Sequence, residues 1–177
     1  NRQLAVQQGE ADAVLTWEME YQMWWAQGLE FEVFGQDSTD VQCNGIVVSE
    51  QLIAEDPDLV KAIVRAAAMG AHFVVTNPEA GARIALDAYP DAEPSTIEGM
   101  LPIIEKQAEL LTGGNALQDG YGVHNAQVWQ ELIDSLYADG VIGTEISAED
   151  LVTNEFIAYA NDFDRDRVEK DAAGYGK

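Results

Sequence analysis

Residues 9 to 19 are the stretch of this sequence that most constrains the fold. Gly9 follows the helical pattern of Leu4 to Gln8, and glycine readily takes the left-handed conformation that ends a helix. Ala13 to Leu15 is a continuous apolar run, which is typical of a strand covered on both faces in a parallel sheet. The stretch therefore predicts a helix, a turn and a buried strand, which is the start of an α/β fold.

Thr16, Trp17 and Glu18 stand where this predicted strand ends. In open α/β sheets, ligands bind beyond the carboxyl ends of the strands. An indole can stack on a flat solute and a carboxylate can accept its N–H groups, so Trp17 and Glu18 are candidate binding residues, with Glu20 as a second acceptor. A purely structural interpretation stays open, in which Trp17 is a buried anchor and Glu18 favours the start of the next helix.

Alternation of helix and strand continues only to about residue 49. A predicted helix over Glu20 to Gln27 is followed by predicted strands over Phe31 to Phe34 and Ile46 to Val48. Beyond Ser49 the spacing of apolar residues is helical. The sequence therefore predicts an α/β chain that is helix-rich after about residue 49.

The helical part carries clear start signals. Asp56-Pro57 and Asn77-Pro78 each place a capping side chain before a proline, which is harmless at the first helical position. In the first of these helices, Val60, Ile63 or Val64, Ala67, Ala71 and Val74 are predicted to share the inward face. Further helices are predicted from the capping box at Ser95 through Leu111, from Asn125 to Ala138, from Thr153 or Asn154 toward Asn161, and over Asp164 to Lys170. A glycine-rich connector is predicted over 113–124, and the chain is predicted to fray from Ala172.

Two segments carry a resemblance to a known family. Residues 9–13 read Gly-Glu-Ala-Asp-Ala, and residues 47–62 read Val-Val-Ser-Glu-Gln-Leu-Ile-Ala-Glu-Asp-Pro-Asp-Leu-Val-Lys-Ala. These segments resemble the ABC-transporter solute-binding proteins of the thiamine-precursor, sulfonate and nitrate type, which is also the type of the thiamine-pyrimidine synthases. The resemblance covers about residues 3 to 90 well and the rest loosely, and it marks the fold more than the ligand.

The resemblance implies the C-terminal half of a two-lobed periplasmic-binding-protein type II fold. Residues 1–42 would then form the end of lobe two and its return strands, and residues 43–177 the crossover and the C-terminal helical part of lobe one. Cys43 and Asn44 would lie at the crossover that lines the cleft, although a buried thiol and a turn residue are the alternatives. The implied protein is periplasmic or extracellular and delivers its solute to an ABC transporter permease. Anchoring to lipid through the absent N-terminus is an open alternative.

The charge excludes some partners. The chain has 32 acidic and 9 basic residues, so the formal net charge is 9 − 32 = −23. Such a surface repels nucleic acid and anionic membranes, and we expect no membrane insertion within this segment. A lysine-poor acidic surface is also favoured by adaptation to a saline habitat, where counter-ions screen the self-repulsion.

Charge also selects among small solutes. Sulfonate and nitrate sites need basic donors, and Arg2 is the only base in residues 1–60. We therefore expect a heterocycle such as a thiamine-precursor pyrimidine, with a sulfonate, taurine or nitrate-type solute as the alternative. No cofactor, metal site or catalytic group is predicted. The less favoured alternative is a pyrimidine-synthase-like enzyme that uses Cys43 with His72 or His124, against which the single cysteine speaks.

Overall fold

The structure is a computed structural model that describes residues 2–34, 45–113 and 116–176. Secondary structure in these residues is α-helical. The helices are α1 (Arg2–Gln7), α2 (Glu18–Ala26), α3 (Glu50–Glu55), α4 (Pro57–Thr76), α5 (Pro78–Ala88), α6 (Ile97–Leu111), α7 (Ala116–Asp119), α8 (Ala126–Ala138), α9 (Ala148–Leu151), α10 (Ile157–Asn161) and α11 (Arg165–Gly174).

The three predicted strands do not form in these residues. We expected Ala13 to Leu15 to be covered on both faces. Val14 is half-buried, but Ala13 is exposed and Leu15 is 91% exposed. Phe31 to Phe34 and Ile46 to Val48 are likewise irregular. A strand is stabilised by hydrogen bonds to a neighbouring strand, and no part of the chain described here supplies one. The helix-rich prediction is confirmed, whereas the α/β prediction is not confirmed.

The two predicted cap-proline helix starts are confirmed. The Asp56 carboxylate accepts a hydrogen bond from the backbone N–H of Leu59 at 3.0 Å, just before α4. The Asn77 side chain accepts one from Ala80 N–H at 3.1 Å and caps α5. At the other end of the chain, Gly9 follows α1 with φ +67°, as expected for a helix-ending glycine.

The buried face of α4 agrees with the predicted one at Val60 and differs from it further along the helix. Its buried residues are Val60, Ala68 and His72, which recur at multiples of four residues. Ala67, predicted to face inward, is exposed. Both stripes satisfy a helical period, and the neighbouring chain determines which of them is covered.

Among the described helices, α4 alone is long and apolar enough by composition to cross a membrane. The core helix of a soluble protein meets the same criteria. The Arg65 guanidinium lies 3.6 Å from the centre of the Tyr159 ring and donates to the Tyr159 carbonyl oxygen at 2.6 Å. This side of α4 therefore packs against α10, and the expectation of no membrane insertion stays a prediction.

Four predicted boundaries need correction. The helix predicted from Thr153 or Asn154 begins at Ile157, as α10. Helix α6 is capped by Thr96 rather than Ser95, because the Thr96 hydroxyl accepts from Gly99 N–H at 3.2 Å. The segment 113–124, predicted as a connector, contains the single turn α7. The predicted fraying from Ala172 is wrong, since α11 continues to Gly174 and Ala172 is fully buried.

The chain divides into two compact units. Unit 1 comprises residues 1–32, 73–111 and 169–177, and in it α6 packs against both α2 and α5. Unit 2 comprises residues 33–72 and 112–168, and in it α8 packs against α9. The domain boundary predicted between residues 42 and 43 lies outside the described residues and stays a prediction.

Candidate functional site

The candidate site lies in unit 1 where α2 begins. Trp17 is the residue just before α2 and has an extended backbone, with φ −98° and ψ 162°. Its indole is 58% exposed, which excludes the interpretation of Trp17 as a buried anchor. Glu18 and Glu20 lie in the first helical turn, where the exposed backbone N–H groups favour negative charge.

Arg2 connects three parts of this site. Its guanidinium lies 4.9 Å from the centre of the Trp17 ring and 3.6 Å from a carboxylate oxygen of Glu20. It also donates to the carbonyl oxygen of Leu15 at 3.2 Å. The carboxylate of Glu20 accepts a further hydrogen bond from the Thr16 hydroxyl. Helix α1 thus supplies a cation that orders the segment leading into α2.

Lys106 is the site residue that the sequence reasoning missed. Its ammonium group, on α6, lies 3.1 Å from a Glu18 carboxylate oxygen and 3.0 Å from Glu109. Burial raises the pKa of Glu18, but hydrogen bonding with Tyr21 and Lys106 and the charge on Lys106 outweigh it and lower that pKa overall. The hydrogen bonds to Glu109 and Glu18 in turn raise the pKa of Lys106. Both groups are therefore charged at neutral pH.

The signal for Lys106 was weak in the sequence. It is 88 positions from Glu18 along the chain, and its spacing to Glu109 on α6 explains it equally well as part of an exposed helical pair. The chain contains four lysines in all. This scarcity is the sequence signal that could have drawn attention to Lys106. The packing of α2 on α6 brings the two charges together.

Behind the site is an aromatic cluster formed by Tyr21, Trp24, Trp25 and Phe31. Tyr21 and Trp24 are buried. The Trp25 and Phe31 rings are stacked with centroids 5.2 Å apart, and Trp24 meets the edge of Phe31 at 5.9 Å. Trp24 thus belongs to the core of unit 1. The cluster gives α2 a rigid base, from which Trp17 projects toward solvent.

The other two predicted site residues, Cys43 and Asn44, lie outside the described residues. Gly45, which follows them, is described: a side-chain carbon placed on it would lie 3.5 Å from the His124 ring. The structure therefore brings together Trp17, Glu18 and Glu20.

The two histidines of the enzyme alternative are both held in place within unit 2. His72 is buried, and its Nδ1 lies 3.1 Å from the Tyr121 hydroxyl. His124 Nδ1 accepts a hydrogen bond from the Trp129 indole N–H at 3.3 Å. Burial lowers the pKa of His124, so its imidazole is neutral near pH 7 and carries its proton on Nε2. Within residues 2–34, 45–113 and 116–176, no group of three or more His, Cys, Asp and Glu side chains could hold a metal ion.

Comparisons with known proteins agree with the resemblance predicted from the sequence. Residues 1–81 match a family model described as "NMT1/THI5 like". The riboflavin-binding protein RibY of Chloroflexus aurantiacus is 28% identical over 132 residues, which are 74% of this chain and 38% of that relative. The chain thus spans well under half the length of this curated relative. No solved structure gives a significant match. The predicted recognition is confirmed by the two sequence matches.

Proposed function

We propose a function on the premise that residues 1–81 belong to the NMT1/THI5-like family of solute-binding proteins. The chain is part of a receptor that binds a flat nitrogen heterocycle and passes it to the permease of an ABC importer. It acts outside the cytoplasm, in the periplasm or at the cell surface, and it has no catalytic role. Two lobes closing about a hinge would enclose the solute.

The observation that carries this proposal is the exposed indole of Trp17 beside two carboxylates. The ring is 58% exposed although Arg2 lies over it, so it offers area for a second ring to stack. Glu18 and Glu20 are the adjacent acceptors. An aromatic surface with a few placed polar groups is typical of small-molecule sites.

The charges at the site favour a neutral solute over an anion. The sequence indicated Arg2 as the one nearby base, and the structure adds Lys106. Both are already paired with carboxylates, Lys106 with Glu18 and Glu109 and Arg2 with Glu20. A sulfonate or nitrate would have to displace a carboxylate from one of them. An ionised carboxylate accepts several hydrogen bonds, so Glu18 can keep its lysine and still accept from a ring amino group.

Two ligands of this chemical class are supported. A thiamine-precursor pyrimidine follows from the resemblance, and riboflavin follows from the name of the relative RibY. Both are flat nitrogen heterocycles that can stack on an indole. Titration with each of the two ligands distinguishes between them.

Titration of the intact protein tests the class. Riboflavin, an aminopyrimidine of the thiamine type and an alkyl sulfonate are each added while binding is measured by calorimetry. We expect a heterocycle to bind and Trp17→Ala to weaken it by about 1–3 kcal/mol, the usual cost of losing a stacking partner. Trp25→Ala removes another partly exposed indole of α2 and is the matched control. Binding of the sulfonate alone, or equal losses from both variants, would contradict the proposal.

The enzyme alternative has its own test. In the receptor, alkylation of Cys43 leaves the solute chemically unchanged and alters binding only if the added group obstructs the site. Chromatography of the solute after incubation with the protein distinguishes the two. Turnover that alkylation abolishes would replace the receptor by a pyrimidine-synthase-like enzyme.

A further inference from the structure

Unit 1 contains a cavity that shares no lining residue with the site at Trp17. Its volume is about 370 Å³, and its lining consists of Arg83, Leu86, Asp87, Ile97, Tyr175 and Gly176. This volume is at the small end of the range of about 300–1,000 Å³ that is usual for ligand pockets.

The walls of this cavity are held by specific contacts. The Asn77 side chain donates to the Ala172 carbonyl oxygen at 2.8 Å, which ties the end of α11 to the start of α5. Tyr175 lies just beyond α11, and its ring meets Phe73 edge to face with centroids 6.2 Å apart. The wall contributed by the C-terminal segment is therefore held by contacts at Ala172 and at Tyr175.

The cavity presents both signs of charge from one helix. Arg83 and Asp87 are four residues apart on α5, so their side chains share a face about 5–6 Å apart at Cβ. The Arg83 guanidinium is oriented by Glu79, with a nitrogen–oxygen distance of 2.6 Å. A guanidinium has five N–H donors, so Arg83 keeps donors for a ligand. In the described ranges, no side chain forms an ion pair or hydrogen bond with the Asp87 carboxylate.

We propose that this cavity binds a small zwitterion of the α-amino acid type, with its carboxylate on Arg83, its ammonium group on Asp87 and its aliphatic part on Leu86 and Ile97. An anion without an ammonium group would meet the Asp87 charge, and a cation without a carboxylate would meet the Arg83 charge. A molecule that carries both charges matches the pair, and each mismatched charge acts against the wrong ligand. The site is separate from that of the proposed heterocycle, and neither proposal depends on the other.

Three related probes test the charge pairing by calorimetry on the intact protein. L-leucine carries both charges, L-leucinamide lacks the carboxylate and N-acetyl-L-leucine lacks the ammonium group. We expect L-leucine to bind about 10-fold or more tightly than either derivative, as the loss of one charged hydrogen-bond partner implies. Equal binding of all three, or binding of one derivative alone, would overturn the proposal.

Variants place the binding at the cavity. Arg83→Gln and Asp87→Asn should each weaken L-leucine binding about 10-fold or more. Asp58→Asn is the matched control, since it removes an exposed carboxylate that is paired with Lys61 on α4. If a variant fails to fold, backbone amide NMR of the unaltered protein decides instead: L-leucine should shift the Ile97 and Gly176 signals. Unmoved signals, or a control that weakens binding equally, would contradict the assignment.

Discussion

The contact between α2 and α6 in unit 1 and the irregular segments of unit 2 are stabilised in different ways. In unit 1, aromatic packing around Trp24 is joined by the ion pair of Glu18 with Lys106. In unit 2, neutral side-chain amides hold segments that have no regular structure. The first kind of contact depends on burial, pH and salt, whereas the second depends on hydrogen-bond geometry.

Three amides in unit 2 each accept from a backbone N–H and donate to a backbone carbonyl far along the chain. Asn161 accepts from Tyr121 N–H at 2.8 Å and donates to the Tyr121 carbonyl at 3.1 Å. Asn154 does the same with His124, at 2.8 Å in both directions. Gln130 accepts from Ala148 at 2.8 Å and donates to the Ile146 carbonyl at 3.3 Å.

The amides of unit 2 order a loop without a sheet. A side-chain amide has both a donor and an acceptor, so it satisfies a backbone peptide group as a neighbouring strand would. A carboxylate cannot replace it, because an ionised carboxylate only accepts. The segments around Tyr121 and His124 are therefore fixed by uncharged groups, and they should respond little to salt.

The largest expected effect is in the aromatic packing of unit 1. Trp24→Ala removes a buried indole and should lower the free energy of unfolding by about 3–5 kcal/mol. Trp17→Ala removes an exposed one and should change it by about 0.5 kcal/mol or less. Urea unfolding followed by circular dichroism measures both. If the two variants lose equal stability, the distinction between core and site tryptophans is wrong.

The second prediction concerns the amides of unit 2. Asn161→Asp loses the hydrogen bonds donated to the carbonyls of Tyr121 and Ile157 and should cost about 2–3 kcal/mol. Asn125→Asp is the control, because the Asn125 side-chain oxygen caps α8 by accepting hydrogen bonds, which an aspartate does equally well. Thermal unfolding compares them. A larger loss in the control would show that charge, and not the lost donor, is responsible.

The ion pair of unit 1 is expected to contribute less. A double-mutant cycle with Glu18→Gln and Lys106→Gln should give a coupling of about 0.5–1 kcal/mol, which shrinks as salt is raised. Because the pKa of Glu18 is lowered from its usual 4.5, this stability is present above about pH 4.5 and is lost as the pH falls through the folded-state pKa. A coupling that does not change in 1 M salt would contradict the charged description.

The smallest effect is expected at His124 in unit 2. Its pKa is lowered from the usual 6.5 by burial, so the unfolded chain binds a proton more readily than the folded one. The free energy of unfolding should therefore be highest above about pH 6.5 and should decrease as the pH falls toward the folded-state pKa of His124. His124→Gln should remove this decline, as measured by unfolding at pH 5 and pH 7.5. An unchanged pH profile in the variant would contradict the assignment.

Much of the helical part was predictable because its signals are local. Asp56 and Asn77 each bond to a backbone N–H three residues away, and Gly9 and Gly28 take the positive φ that ends a helix. Such interactions are complete within one turn of chain, so they can be identified without any tertiary contact. The candidate residues Trp17, Glu18 and Glu20 were chosen by their position after an apolar run that does not form a strand in the described residues, so their binding role stays a prediction.

Local patterns in the sequence therefore specify the two cap-proline helix starts, the composition gives the extreme acidity, and residues 1–81 carry the match to the family model. Tertiary structure alone decided that Lys106 meets Glu18, that Asn161 holds Tyr121 and that Ala172 is buried. It also decided that Ala13 to Leu15 stays unpaired, since an apolar run becomes a strand only beside another strand. These outcomes depend on groups far apart along the chain, and no local pattern specifies which of several compatible partners will be brought near.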